Sequence, residues 1–402
     1  MHMTKLDALR AEALAARAAA DPNRAVRAWR ALLDAAPDDW ASAWELREDL
    51  RAGLHDPDCD ARFRRAARLL PDAAWLDHYG SRGLFSGGDL GTIDARARAM
   101  LARQPGEVRL HGILGHVARQ RRDWDEAARA FAAAERDGLA SHARMYARLA
   151  ERAWPDAGLA YRLLVVNLDR NTERMEEIGR QFADSPVQPE RLAGVEGSRL
   201  AGPAARRLTG QADAPRGTLG CFLSHAAAWE ALLTGPDACA FVVEDDAIPL
   251  LRLPTRLGGL GLPEAWDVVW VNDRMEPGGD PDAVRGFGTE AVAARAAAFE
   301  AGQNAVGTDG YLVSRVGARK LLEWVAADGM AENVDWRMLA YALTPGDVAA
   351  VPEGSVARAE LERLAPCIAR AERLDAYVLA PALIRSVSVS SDREDQDRGD
   401  WP

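Results

Sequence analysis

The sequence predicts an α/β sheet domain preceded by an all-α helical repeat domain. Three observations carry this. Pro37, Pro71 and Pro105 recur at a 34-residue interval in an alanine-rich first part. Beyond residue 160, short apolar runs alternate with polar turns and helix-like segments, as strands alternate with helices in an α/β sheet. One of those runs, Ala240-Phe241-Val242-Val243, leads straight into Glu244-Asp245-Asp246.

The repeat extends beyond the prolines. Eight residues before each stand Trp29, Phe63 and Ala97; twelve before, Ala25, Cys59 and Ile93; five before, Leu32, Ala66 and Met100. One further period gives Ala127, Phe131, Ala134 and Leu139, with Leu114-Gly115 on the preceding helix. This is the period and small–large–small spacing of tetratricopeptide-like repeats. Small residues let paired helices approach, the aromatic fills the gap, and proline ends the second helix. Arg47 replaces the first-helix glycine in the second unit. Trp40, Trp44 and Trp75 fall near repeat starts, Ser141 to Ala153 reads as a capping helix, and Trp154-Pro155-Asp156-Ala157-Gly158 punctuates it. The expected division is 1–158 for the repeat domain, 159–390 for the sheet domain and 391–402 for a charged, disordered tail.

In the second domain, Tyr161 to Leu168 reads as a buried first strand and Glu173 to Phe182 as a polar helix. Arg191 to Gly197 is a second short strand and turn, and Gly217 to about Leu233 a helix with a glycine-bearing start. The stretch from Asn272 to Asn304 is Gly- and Ala-rich, turns at Gly278-Gly279-Asp280-Pro281, and reads as a loop able to fold over a site. Tyr377 to Ile384 reads as a late strand.

Three carboxylates closing a buried strand repel each other and resist desolvation, so they call for a positive charge. Mg²⁺ or Mn²⁺ suits that need, because both prefer oxygen ligands and share their shell with substrate phosphates. On an extended segment Glu244 and Asp246 share one face and Asp245 takes the other. Alone, the triplet reads first as a solvated turn after a strand.

Composition narrows the alternatives. The 402-residue chain is long enough for two or three domains. Its net charge of −11 argues against broad nucleic-acid binding and against adhesion to anionic membranes. Cys59, Cys221, Cys239 and Cys367 form no C-x-x-C pair, which suits reduced thiols in a cytoplasm. No apolar run of about 18 residues and no leader-peptide layout is present, so a cytoplasmic protein without a membrane span is expected.

The order of motifs resembles glycosyltransferase family 25, the lipooligosaccharide and collagen galactosyltransferase-like family. The matching pieces are Val165-Val166-Asn167-Leu168-Asp169-Arg170 with Arg174, Ala193-Gly194-Val195-Glu196-Gly197, and Gly217-Thr218-Leu219-Gly220-Cys221-Phe222-Leu223-Ser224-His225 with Trp229. Val242-Val243-Glu244-Asp245-Asp246 follows, then Gly307-Thr308-Asp309-Gly310-Tyr311-Leu312-Val313-Ser314, Gly317-Ala318, Leu321-Leu322 and Asp335. The resemblance covers roughly residues 160 to 340 and leaves the repeat domain outside.

It implies a bacterial-type, GT-A-type domain with a Rossmann-like mixed sheet, moving a hexose of galactose type from a UDP donor with inversion. It further implies metal ligation by Asp246 and Glu244. Donor binding would fall to Asn167, Asp169, Arg170, Arg174, Gly220, Ser224, His225, Glu244, Asp245 and Tyr311. Asp335 or Asp309 would be the acceptor base, with Asp335 preferred. The acceptor is a glycan, peptide or protein, recruited by the repeat domain. Two departures stand out: Thr218 replaces the family's usual glutamate, and no histidine follows His225. They keep two other readings open, an interaction protein with a vestigial transferase domain and a metal-dependent hydrolase.

Overall fold

The structure is a computed structural model that describes residues 5–19, 21–39, 42, 65, 68–80, 90–136, 154–211, 214–275, 287–296 and 306–386. Trp40, Trp44, Cys59, Phe63, Ala66, the expected helix at 141–153, the turn at 278–281 and the tail at 391–402 lie outside the described residues. The chain divides into two compact units, with the division between Ile113 and Leu114.

The first unit is helical: α1 (Lys5–Ala18), α2 (Pro22–Ala35), α3 (Asp72–Gly80), α4 (Leu90–Arg103) and the start of α5 (Val108–Gln120). Asp21 caps α2 by accepting from the Arg24 amide, and Pro22 occupies its first turn, where no amide hydrogen is needed. α1 and α2 pack together. Ala25, Trp29 and Leu32 are buried, as are Ile93, Ala97 and Met100 on α4.

The second unit opens with the rest of α5 and α6 (Trp124–Arg136). A methyl placed on Gly115 would lie 2.4 Å from Phe131 Cε1, so these two helices touch where only glycine fits. Ala127, Phe131 and Ala134 are buried. Trp124 Nε1 donates to Asp184 Oδ2 at 2.7 Å, anchoring the start of α6.

A seven-stranded mixed sheet follows among the described residues, assembled from β1 (Arg162–Asn167), β2 (Pro189–Ala193), β3 (Cys239–Glu244), β5 (Val268–Trp270), β6 (Gly288–Ala291), β7 (Gly310–Ser314) and β8 (Ala376–Ala380). Its order is β2-β1-β3-β7-β5-β8-β6. β1 runs parallel to β2 and β3, whereas β7 pairs antiparallel with β3 and β5. A separate antiparallel pair joins β4 (Ala247–Pro249) to β9 (Ile384–Ser386). The helices of this part are α7 (Thr172–Gln181), α8 (Gly202–Thr209), α9 (Arg216–Thr234), α10 (Val292–Ala296), α11 (Arg315–Asp328), α12 (Val334–Ala340), α13 (Pro345–Ala350), α14 (Val356–Arg363) and α15 (Ala365–Ile368).

Alternation along each strand feeds two cores. Ala240 and Val242 join Phe222, Trp229 and Leu232 of α9 and Leu321 of α11 on one side. Phe241 and Val243 join Ile178 of α7 and Phe182 on the other. Both faces are covered, which explains why β3 reads as an uninterrupted apolar run.

Two expectations change. The run at 377–384 is not one strand: β8 ends at Ala380, Pro381 interrupts it, and β9 begins at Ile384 to pair with β4. The stretch from 272 to 304 is not wholly loop, since it contains β6 and α10.

Candidate active site at the end of the central strand

β1 and β3 end side by side, with Val166 in register with Glu244. Because β7 is antiparallel to β3, its start meets β3's end, and the Glu244 amide donates to the Asp309 carbonyl at 3.4 Å. Two motifs 65 residues apart in sequence (Glu244 and Asp309) thereby share one corner of the sheet.

Glu244 Oε1 accepts from Thr308 Oγ1 at 2.7 Å and lies 3.4 Å from His225 Nε2. His225 is fully buried on α9, and its Nδ1 is 3.1 Å from Tyr311 Oη. Tyr311 Oη also accepts from Trp229 Nε1 at 3.0 Å. Burial pushes the Tyr311 hydroxyl pKa up, so the tyrosine stays neutral.

Asp309, 2% exposed, stands against Arg274, whose Nε is 3.0 Å from Oδ1. Asn272 Nδ2 donates to Asp309 Oδ1 at 3.3 Å and to the Gly307 carbonyl at 2.7 Å. The second oxygen, Oδ2, is buried with no hydrogen-bond partner. Burial pushes the Asp309 pKa up, Arg274 pulls it back, and the charges of Glu244 and Asp246 raise it again, to about 7. For Glu244 burial also acts upward, but the His225 ring 3.4 Å away, then the Thr308 hydrogen bond and the charge of Arg274, outweigh it and hold the carboxyl at about 2. Environments that separate two neighbouring carboxyls in this way suit them to different roles.

Asp245 leaves this group, as the strand geometry implies. Its Oδ1 pairs with Arg174 Nη1 at 3.1 Å, and its Oδ2 accepts from Asn167 Nδ2 at 2.8 Å. Asn167 also accepts from Arg191 Nε at 2.7 Å through Oδ1. Arg191 pairs with the exposed Asp169 at 2.6 Å, and Arg170 pairs with Glu196. Asn167, Asp169, Arg170 and Arg174, from the first strand's end and the turn and helix after it, thus meet Asp245, Arg191 and Glu196 in ion pairs and hydrogen bonds beside the Glu244–Asp309 group.

Gly220 and Ser224 hold the helix to the turn after β2. Ser224 Oγ donates to the Gly220 carbonyl and accepts from the Val195 amide, both at 2.7 Å. A methyl on Gly220 would sit 2.6 Å from the Gly197 nitrogen, and one on Gly197 would sit 1.7 Å from the Arg216 carbonyl. Asp335 lies in the first turn of α12, 8% exposed, its Oδ1 accepting from the Trp336 amide at 2.8 Å. Its charge, with that of Glu332, bears on Glu360.

Sequence reasoning missed Arg274 and Asn272 as site residues. Both follow β5, a three-residue strand too short to announce itself by periodicity. Thr308 sat within a quoted motif without a role. A polar Asn-Asp-Arg run directly after Val268 to Val271 was the available signal.

Residues 161–250 match the family described as Glycosyltransferase family 25 (LPS biosynthesis protein). The match takes in β1, β2, α9, β3 and Glu244 to Asp246; Asn272, Arg274, Thr308, Asp309 and Tyr311 lie beyond it. A "Glycosyltransferase 25 family member" of Aedes aegypti is 28% identical over 182 residues, covering 40% of this chain. The chain spans 28% of that relative's length. No described helix is long and apolar enough to cross a membrane.

Proposed function

We propose that the second unit is a GT-A-type domain that transfers a hexose of galactose type from a UDP donor to an acceptor hydroxyl, with inversion. The observation that carries this is the convergence of Glu244, Asp246 and Asp309 on Arg274 where β3 ends and β7 begins. Three carboxylates around one guanidinium leave an excess of negative charge, and after burial the charges of Glu244 and Asp246 help raise the Asp309 pKa. A donor set of carboxylate oxygens, with Asp309 Oδ2 buried and lacking a hydrogen-bond partner beside it, fits Mn²⁺ or Mg²⁺. Asp246 and Glu244 would hold that cation, which when bound offsets charge on the departing diphosphate.

The chain's own residues account for the rest. Asp309, with its pKa near neutrality, accepts the proton of the attacking hydroxyl. It is the better placed of the two aspartates, because it shares the strand-end corner with Glu244, whereas Asp335 stands in the first turn of α12. Arg274 steadies Asp309 and adds positive charge beside the phosphates. Asn167, Arg174 and Asp245 brace the donor side, with Asp169 and Arg170 at its edge. The helical repeats, with the Gly115–Phe131 contact as their clearest packing signature, recruit a protein, peptide or glycan acceptor.

The test is UDP release from a panel of UDP-sugars with Mn²⁺, and its loss in Asp246→Ala at unchanged fold. Failure of every common nucleotide sugar to bind by calorimetry would overturn the reading.

One observation favours a second reading, an interaction protein with a vestigial transferase domain. Arg174 neutralises Asp245 and Arg274 faces Asp309, so protein cations already compensate part of the motif. Partner capture that survives removal of residues 160–402, with no nucleotide binding by the whole chain, would select it.

A further inference from the structure

Beside the acidic group lies a second set of donor atoms with a different chemistry. Cys221 and His225 are four residues apart on α9, so their side chains share one helix face. Glu244 reaches them from the end of β3. The cysteine sulfur, a histidine ring nitrogen and a Glu244 carboxylate oxygen all lie within 4.8 Å of one another.

The His225 ring shows what this corner is built for. It is fully buried, and Nε2 has no hydrogen-bond partner although it lies 3.4 Å from Glu244 Oε1. A buried ring nitrogen left without a partner is costly unless a ligand answers it. Its other nitrogen is 3.1 Å from Tyr311 Oη, which also accepts from Trp229 Nε1. With the Nδ1 hydrogen directed at Tyr311, the Nε2 lone pair is left on the side of Glu244. Thr308 meanwhile orients Glu244 through a 2.7 Å hydrogen bond. Partners of this kind fix ligand geometry around metal ions.

We infer that Cys221, His225 and Glu244 form a site for a borderline-soft divalent cation of the zinc class. Ligand atoms about 2.0–2.3 Å from a tetrahedral zinc stand about 3.3–3.8 Å apart. The His225–Glu244 separation of 3.4 Å already meets this. The sulfur closes the remaining gap by side-chain rotation. Binding expels the thiol proton to solvent, and the thiolate and carboxylate together balance the ion's charge. Three protein ligands leave a fourth position for water or a substrate oxygen. Glu244 is common to this set and to the all-oxygen group at Asp246; thiolate and imidazole turn the preference here from Mn²⁺ or Mg²⁺ to zinc.

The inference does not rest on the transferase reading, and the test uses no nucleotide. The full chain is stripped with chelator, loaded with Zn²⁺ or Co²⁺, dialysed and assayed for bound metal. One zinc per chain is expected, with a thiolate-to-cobalt charge-transfer band in the cobalt form. Cys221→Ser and His225→Gln should each weaken binding at least about tenfold and abolish the band. Tyr311→Phe should weaken zinc while leaving the band present at saturation. Asp246→Ala should keep both zinc and band. Because His225 is buried, the half-buried Cys221→Ser variant, checked by circular dichroism, carries the result if His225→Gln unfolds. Absence of retained zinc in the wild type, or loss in Asp246→Ala with retention in Cys221→Ser, overturns the inference. Loss of UDP release with intact zinc binding would instead strike only the transferase proposal.

Discussion

Arg274 and Asp309 form an ion pair across 35 residues of sequence, Nε to Oδ1 at 3.0 Å, with the carboxylate 3% exposed and the guanidinium 30% exposed. The pair stands at the centre of the acidic group, since Glu244 and Asp246 also act on Arg274. Removing the cation leaves a buried carboxylate beside two others. Arg274→Ala is expected to destabilise the second unit by about 2–3 kcal/mol, toward the lower end for a buried pair because the guanidinium is partly solvated. Adding Asp309→Asn should recover much of that loss, because the amide carries no charge to strand. Urea unfolding of the two single variants and the double variant measures the coupling. Additive effects would show that the pair contributes nothing.

The turn Gly194–Gly197 and α9 approach so closely that neither side has room for a side chain. Gly197→Ala would put a methyl 1.7 Å from a backbone carbonyl, which cannot rotate away. About 3 kcal/mol of stability should be lost, as in other overpacked contacts. Gly220→Ala, 2.6 Å from backbone atoms of the same turn, should cost less. Both displace the helix that carries Cys221, His225 and Trp229. Equilibrium unfolding checks the order, and an unchanged midpoint in Gly197→Ala would refute the packing argument.

How far the sequence revealed this arrangement depends on the range of each interaction. The central strand was legible because Ala240 to Val243 is apolar on both faces and short. The helix Arg216–Thr234 was legible for the opposite reason, its length and apolar content. Burial of Ala25, Trp29 and Leu32, and of Ile93, Ala97 and Met100, follows from their shared phase, as it would in any helix pair so spaced. The charge balance at Glu244-Asp245-Asp246 was not legible. The sequence reading put a bound cation at Glu244 and Asp246 and Asp245 on the opposite face, but not the pairing of Asp245 with Arg174, 71 residues away, nor the charge of Arg274 beside Glu244 and Asp246. Arg174 is marked only by the family resemblance, and Arg274 only by the polar Asn272-Asp273-Arg274 run after the apolar one. The split of 377–384 by Pro381 was readable in principle, since proline cannot donate to a ladder.

Gly115 and Phe131 give the helical part a comparable test. Phe131 is 4% exposed, so its ring has no open space into which to move from a methyl at Gly115. Gly115→Ala should destabilise by about 1–3 kcal/mol, although alanine is the better helix former by about 1 kcal/mol. Gly179→Ala on α7, where a methyl meets nothing within 4 Å, should instead be neutral or stabilising. Thermal melts of both variants separate packing from propensity. Stabilisation by Gly115→Ala would sink the close-contact account.

His116 offers the clearest pH test. Its ring packs edge-on against Phe131, centroids 5.0 Å apart, and its Nδ1 is 3.4 Å from Arg119 Nη2. Burial, then the charges of Arg119 and Arg385, depress its pKa well below the ordinary histidine value. In the unfolded chain His116 takes a proton below about pH 6.5, whereas in the fold it refuses one. Its contribution is therefore full above that pH and is lost as pH falls toward the folded value, with a slope of up to about 1.4 kcal/mol per pH unit. Asp309 acts in the opposite sense. Its folded pKa of about 7 lies above the unfolded one, so the fold gains relative stability as pH falls through 7 toward the ordinary carboxylate range. The wild-type slope between pH 7 and 5 is the sum of both, and the difference from His116→Gln isolates the histidine. Urea midpoints across that window should fall less with decreasing pH in His116→Gln, or rise where Asp309 dominates. Identical slopes in the two proteins would mean that His116 is solvated enough to accept its proton in the folded chain.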